Sequence, residues 1–184
     1  STVNSDFYIG AHFSGFRKHM AHVLLVDMAI HTFDAARLVA GVDPVSVYCH
    51  EFNPHGSWYD RDASAQCIFE MSNGVVYNYR GSWTAEGLNT SWEGDWRIVG
   101  ERGTLLWGGA DDITCEVVAG GEGFRSEFKA VDVPVAMPAG MEEGHKGLIM
   151  EFVRCVREGG VPETVCTDNI KSLAMVHAAV ESAE

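Results

Sequence analysis

Three ionisable side chains at regular spacing are the chain's strongest candidates for chemistry. Asp27, His31 and Asp34 are separated by four and three residues within an otherwise apolar stretch. At about 100° per residue, they fall within roughly a 60° arc of one helix face. A carboxylate one turn before an imidazole can hydrogen-bond the ring and orient it for proton transfer. The pattern therefore predicts an acid/base group at His31 that is oriented by Asp27.

The same spacing also fits a polar stripe that faces water on an amphipathic helix. This stripe, however, contains no Lys or Glu, and the positions around it are nearly all Leu, Val, Met, Ala, Ile and Phe. We expect a helix with so narrow a polar edge to be mostly buried, with its polar groups lining a cleft. The predicted helix covers residues 24–40, because Gly41 is a typical helix stop and Pro44 follows it. Both interpretations of the stripe remain open on spacing alone.

Composition restricts the classes of protein to which the chain can belong. A length of 184 residues with 46% hydrophobic residues predicts one domain with a substantial core. A net charge of −13 without a basic patch argues against nucleic-acid and anionic-membrane partners. No run approaches about 18 apolar residues, so no membrane span is predicted, and no signal peptide is predicted from these residues. The five widely spaced cysteines lack a Cys-x2-Cys pair, which predicts core thiols such as Cys67 and Cys155 and a reducing, cytoplasmic setting.

After the first helix the hydrophobic period changes from 3.6 to 2, and Asn73-Gly74 is a strong hairpin signal. The predicted strands are residues 7–13, 45–52, 64–71, 75–83, 92–99, 103–107, 113–118 and 124–133, and the later helices are 141–157 and 168–182. This order predicts an α+β fold with an open, largely antiparallel sheet and helices packed on one face. Ser64, Gln66 and Glu70 predict a polar outer face. No Gly-x-Gly-x-x-Gly follows a strand, so no cofactor-binding site is predicted in the chain.

Several sequence blocks resemble one enzyme family. They are residues 27–34, Gly74 in the hairpin, residues 97–105, residues 152–162 with Asp168, and residues 176–183. They are similar to the C-terminal half of the Gfo/Idh/MocA oxidoreductases, which include glucose–fructose oxidoreductase and inositol dehydrogenase. The resemblance implies that residues 1–184 are a single C-terminal domain of the dihydrodipicolinate-reductase-like type. It also implies that the family's N-terminal Rossmann domain is absent from this chain.

The resemblance carries expectations about function. Members of the family bind NAD or NADP in the Rossmann domain and bind a sugar or polyol mainly through the C-terminal domain. Mapped onto this chain, His31 would take the hydroxyl proton, and Asp27 would orient it and contact the substrate, together with a lysine of the Rossmann domain. The chain alone is expected to hold no cofactor and to be inactive. Its sheet is expected to form a homo-oligomer interface.

Three further residues complete the predicted substrate site. Arg17 stands just before the helix and can bind a carboxylate or hydroxyls, although a surface or structural role fits equally well. His22 stands where many relatives have glycine and can reach the same cleft, and Asp34 extends the polar stripe. His19 and His22 with a helical acid give only a weak metal signal, so no metal site is predicted. The alternatives are a non-catalytic sugar-binding or assembly module of the same fold, and a small metal-dependent hydrolase that uses the histidines.

Overall fold

The computed structural model of the chain describes residues 1–121, 123–135, 142 and 144–184. Its strands are β1 Thr2–Tyr8, β2 Pro44–Phe52, β3 Ser64–Met71, β4 Val76–Ser82, β5 Asp95–Val99, β6 Gly103–Trp107, β7 Ile113–Gly120 and β8 Glu127–Val131. Its helices are α1 Phe16–His19, α2 Ile30–Ala40, α3 Gly144–Glu158 and α4 Cys166–Ala183, and a π-helical turn, Leu25–Ala29, runs directly into α2.

The strands form one open sheet in the order β2-β3-β4-β1-β5-β6-β7-β8. Neighbouring strands pair antiparallel except β1 and β4, which run parallel from Thr2 opposite Val76 to Tyr8 opposite Ser82. The predicted α+β class with a largely antiparallel sheet is therefore confirmed. The hairpin is also confirmed, because Gly74 has a φ of 78° and the Val75 amide donates to the Asn73 side chain at 3.1 Å.

The core lies between one face of the sheet and the helices α2 and α4, where α4 packs on β2 and α2 packs on α4 and β1. Strand β3 shows why the sheet has two unlike faces: Gln66, Ile68 and Glu70 are exposed and the residues between them are buried. Ser64 is the exception to the predicted polar face. Its side chain is buried, and the core accommodates its hydroxyl because that group is hydrogen-bonded to the hydroxyl of Ser82 at 2.7 Å.

The first strand lies five residues before the predicted segment 7–13. Val3, Ser5 and Phe7 are buried on one face of β1, while the residues between them are only partly covered. A serine can occupy a core position here because its hydroxyl is hydrogen-bonded to the Tyr77 hydroxyl at 2.9 Å. Small polar residues therefore conceal the alternation of this strand in the sequence.

Other element bounds differ by smaller amounts. The predicted linker before the first helix contains the short helix α1. The predicted start of the third helix at Met141 lies outside the described residues, and α3 is described from Gly144. Cys67 and Cys155 are buried, as predicted. No helix in the described ranges has the length and apolar character needed to cross a bilayer.

Candidate functional site

One helical segment carries the predicted catalytic residues. It begins at Val23, passes through the π-helical turn Leu25–Ala29 and continues as α2. The sequence predicts the helix but gives no sign of the π turn. Such turns are rare and occur frequently at functional sites, because they change the direction of side chains within an otherwise regular helix. Asp27 is the central residue of this turn, and His31 is the second residue of α2.

Arg17, rather than His31, is the partner of Asp27. The Nε of Arg17 donates to both carboxylate oxygens of Asp27, at 3.0 and 2.9 Å. This hydrogen bonding raises the pKa of Arg17, which stays charged. Asp27 and His31 share no hydrogen bond in the part of the chain that the structure describes, because α1 places a permanent cation beside the carboxylate. The orientation of the imidazole by Asp27 stays a prediction.

Arg17 is itself held by aromatic side chains. Its guanidinium lies 5.0 Å from the centroid of the Phe13 ring and 4.9 Å from that of Phe16. Contacts of this kind attract a cation to the face of the ring. Only Nε of the guanidinium is used on Asp27. Both terminal nitrogens lack a hydrogen-bond acceptor among the described residues, and the side chain is 38% exposed.

The imidazole of His31 is open to solvent. The residue is exposed, and its ring has no hydrogen-bond partner within the described ranges. Three surface grooves, of about 780, 460 and 580 Å³, are lined by other residues and contain neither His31 nor Asp27. These grooves therefore provide no enclosed cleft around the pair, and an enclosed site would require further protein surface over this helix.

His22 faces the interior. Its Nδ1 is hydrogen-bonded to the carboxylate of Glu51, and Nε2 lies 3.8 Å from the carboxylate of Glu184. The Glu51 side chain is only 3% exposed, and this burial raises the pKa of Glu51. The structure thus gives the predicted substrate ligand an internal carboxylate partner. Glu51 is a residue that sequence reasoning missed, since its position within a strand gives no hint of a histidine 29 residues earlier.

Asp34 lies in a polar network between α2 and α4. The Ser172 hydroxyl donates to Asp34 at 2.5 Å, and Arg37 lies 3.6 Å from the same carboxylate oxygen. Arg37 also donates to Asp168 at 2.9 Å and to Asp43 at 3.0 Å. These contacts explain an acidic residue at position 34 as a link between helices, away from the Arg17–Asp27 pair.

A polar and aromatic cluster adjoins Arg17. The Trp58 indole and the buried Tyr59 hydroxyl both donate to the Ala11 carbonyl, and the His12 ring stacks on Trp58 at 3.6 Å. His12 is also paired with Glu86 at 2.6 Å. The sequence marks residues 53–59 only as a polar, aromatic loop, so this cluster could not be placed beside α1 without the fold.

The described residues include no group of three or more His, Cys, Asp or Glu side chains that could hold a metal ion. The histidines are instead divided among separate carboxylates, with His19 bound to Asp60 at 2.5 Å, His12 to Glu86 and His22 to Glu51. This division does not favour a hydrolase that uses the histidines together.

Comparison with known proteins assigns the chain to a family. The family model described as the GFO/IDH/MocA C-terminal domain matches residues 3–106, more than half of the chain. The chain belongs to this family. An uncharacterized protein of Sinorhizobium fredii, y4oX, is 28% identical over 188 residues, which covers 96% of this chain and 49% of that protein.

Solved structures share the fold of this Gfo/Idh/MocA domain. An oxidoreductase from Agrobacterium radiobacter, in complex with NAD+, L-tartaric acid and magnesium, aligns with a TM-score of 0.72 at 21% identity, over 99% of this chain and 54% of its own. Levoglucosan dehydrogenase, in complex with NADH and levoglucosan, gives 0.72 at 20% identity over 99% and 56%. An NAD-binding protein from Listeria innocua gives 0.76 at 16% identity over 99% and 52%. The chain spans about half the length of these relatives.

The described residues of this Gfo/Idh/MocA domain do not form a Rossmann-type site for a nicotinamide dinucleotide. Dinucleotide sites of the Rossmann type lie at the carboxyl ends of parallel strands, where a glycine-rich turn leads into a helix. Among the described strands only β1 and β4 run parallel, and they are separated in sequence by two antiparallel strands. The sequence contains no Gly-x-Gly-x-x-Gly. The described residues therefore contain no dinucleotide site of this type.

Proposed function

We propose that this chain is the substrate-binding domain of a nicotinamide-dependent oxidoreductase that acts on a hydroxyl group of a sugar or polyol. The observation that carries the proposal is the pairing of Arg17 with Asp27 on the helical segment that also carries the imidazole of His31, which has no hydrogen-bond partner among the described residues. Residues four apart on a helix have Cβ atoms about 5–6 Å apart, so Asp27 and His31 can contact one small molecule. Membership of the Gfo/Idh/MocA family supports the reaction class.

Each residue has a role that its contacts allow. The ring of His31 is accessible and free to accept the proton of a substrate hydroxyl, and imidazole is the side chain best suited to this at neutral pH. The terminal nitrogens of Arg17 can donate to neighbouring hydroxyls while its Nε holds Asp27. Asp27 can accept a hydrogen bond from a further hydroxyl. The hydride acceptor is not held by these residues, so we expect the chain alone to be inactive.

The test is a substitution in the protein that includes the sequence encoded upstream. We expect that sequence to encode a glycine-rich βαβ domain that supplies a lysine. We also expect the longer protein to oxidise one member of a panel of polyols and sugars, with NAD or NADP as the oxidant. His31→Ala should lower kcat/KM by about 10²–10⁴-fold with little change in folding. His177→Ala, which removes an exposed histidine of α4, is the matched control. Normal turnover by His31→Ala, or a stop codon directly upstream of this segment, would refute the proposal.

A second candidate is a sugar-binding or assembly module of the same fold without catalysis. It is favoured by one observation: Asp27 is occupied by Arg17, so His31 lacks the carboxylate that would orient it. This candidate predicts that the chain binds a polyol in calorimetry without any cofactor. It also predicts no turnover in the intact protein. Calorimetry that shows no binding across a broad panel would count against it.

We also propose that the outer face of the sheet joins copies of the chain into a homo-oligomer. This face forms the groove of about 780 Å³, and it combines polar residues such as Asn4 and Asn78 with the aromatic ring of Trp107. Ile68 is 51% exposed there. Light scattering at micromolar concentration should show more than one copy.

The five free cysteines, three of them buried, favour the cytoplasmic location that we propose.

A further inference from the structure

We propose that His22 and Glu51 form a positioning pair, which sets the direction of the helical segment that carries Asp27 and His31. The inference rests on the proposed function, in which those two residues meet the substrate. Neither His22 nor Glu51 touches the Arg17–Asp27 pair through a hydrogen bond among the described residues. Their effect on the site therefore has to pass through the backbone between residues 22 and 27.

The carboxylate of Glu51 is the fixed end of the pair. It extends from β2 on the same side as the buried Cys49, two residues earlier. Its Oε2 is hydrogen-bonded to His22, while Oε1 is buried with no hydrogen-bond partner in the described part of the chain. Burying a carboxylate with an unpaired oxygen opposes folding. An apolar residue at this position would avoid that cost, so we infer that the acid serves a different requirement.

The backbone of His22 is the movable end. Its φ is 53°, in the left-handed region that disfavours side chains with a Cβ atom. The His22 carbonyl accepts the hydrogen bond of the Val26 amide at 2.9 Å, which is in the first turn of the helix. Asp27 is the next residue, inside the π-helical turn. The bond to Glu51 thus fixes a strained residue at the point where the helix begins.

The imidazole lies between carboxylates from two other elements. Glu51 of β2 engages Nδ1, and the exposed carboxylate of Glu184, after the last residue of α4, lies 3.8 Å from Nε2. Asp62, in the loop before β3, adds a further negative charge near Glu51. The ring therefore connects the helix start to the edge strand and to the end of α4. Loss of its partner should let the start of the helix change direction without opening the core.

The substitutions distinguish the effect of the His22–Glu51 hydrogen bond from the effect of the left-handed backbone conformation of His22. Glu51→Met removes the acceptor at similar length, whereas Glu51→Gln keeps an oxygen that can accept from Nδ1. His22→Gly removes the ring but retains the left-handed conformation without strain. We expect Glu51→Met and His22→Gly to accelerate amide hydrogen exchange in residues 23–29 of this chain by about 10-fold or more, with exchange in the buried part of α4 changed by less than about twofold.

The kinetic readout uses the protein that includes the nicotinamide-binding domain. A displaced catalytic group lowers turnover more than binding, so Glu51→Met should reduce kcat about 10–100-fold with KM within about threefold. Glu51→Gln should restore kcat to within about threefold of the original value. The matched control is His19→Asn, which removes the exposed His19–Asp60 pair and should change neither readout.

The outcomes are distinguishable. If the unmodified protein oxidises no polyol or sugar, the proposed function fails, while the exchange experiment still tests the pair. Unchanged exchange in residues 23–29 after Glu51→Met overturns the positioning role. So does uniform acceleration throughout the chain, because that result indicates a contribution to overall stability alone. If Glu51→Met does not fold, His22→Gly gives the same readouts, and normal exchange and turnover in that variant overturn the inference.

Discussion

Phe33 connects the helix that carries His31 to the sheet, and its replacement by alanine should cause a large loss of stability. The ring is fully buried, and its centroid lies 4.9 Å from that of Phe69 and 5.2 Å from that of Tyr79, both in edge-on geometry. Truncation of a buried phenylalanine to alanine costs about 3–5 kcal/mol. Each edge-on aromatic pair contributes about 0.5–1.5 kcal/mol beyond the area that it buries. We therefore expect a loss of about 4 kcal/mol in the free energy of unfolding for Phe33→Ala.

The assay is urea unfolding of the chain followed by tryptophan fluorescence, with calorimetry as a second measurement. For a domain of this size, about 4 kcal/mol corresponds to a decrease in Tm of about 8–16 °C. Phe124→Ala is the matched control, because that ring is 99% exposed and its loss should change stability by less than about 0.5 kcal/mol.

A double-mutant cycle of Phe33→Ala with Phe69→Ala tests the geometry directly. The two rings are in contact, so the cycle should give a coupling free energy of about 1 kcal/mol. A loss below about 1 kcal/mol for Phe33→Ala, or a coupling near zero, would refute the reasoning. Either result would mean that the helix is not held to the sheet through this ring.

Three further predictions concern other parts of the chain. The hydrogen bond from Arg37 lowers the pKa of Asp168 below its usual range, so the stability that it gives is present above about pH 4 and is lost as the pH falls through the lowered pKa. Arg37→Met should therefore destabilise the chain at pH 7, and its difference from the unmodified chain in urea unfolding should narrow below about pH 4. Gly74→Ala should lower the free energy of unfolding by about 1 kcal/mol, because the φ of 78° is strained for alanine; an unchanged urea midpoint would contradict this. Ile68→Lys should shift light scattering at micromolar concentration toward the monomer, whereas an unchanged mass would exclude this face as the interface.

The local order of the sheet could be predicted from the sequence because its signals are local. Alternation in residues 64–71 and the Asn73-Gly74 turn specify β3 and its hairpin without information from distant residues. The position of β1 is not predictable in this way, because its buried serine, Ser5, depends on the hydroxyl of a residue 72 positions away. A hydrophobic pattern cannot predict a hydrogen-bond partner that is so far away in the sequence.

The candidate site shows the same limit. The four-residue spacing correctly puts Asp27 and His31 on one helix, but which neighbour binds the carboxylate depends on how α1 folds back toward that helix. The pairing of His22 with Glu51 likewise requires the edge strand to lie beneath the helix start. Spacing along one helix predicts which side chains share a face. It does not predict competition from a residue on another element. Here the carboxylate of Asp27 is bonded to the permanent cation of Arg17 and not to the imidazole of His31.

Strand β1, residues 2–8, holds the two parts of the sheet together. Among the described strands it alone joins the β2–β4 block to the β5–β8 block. During synthesis it must wait for a partner more than 70 residues downstream, which is the kind of distant closure that slows folding. Until then β4 and β5 each present a bare edge, the surface on which strands of separate molecules aggregate. Removal of residues 2–8 would therefore divide one sheet into two parts, each with an exposed edge that is prone to aggregation.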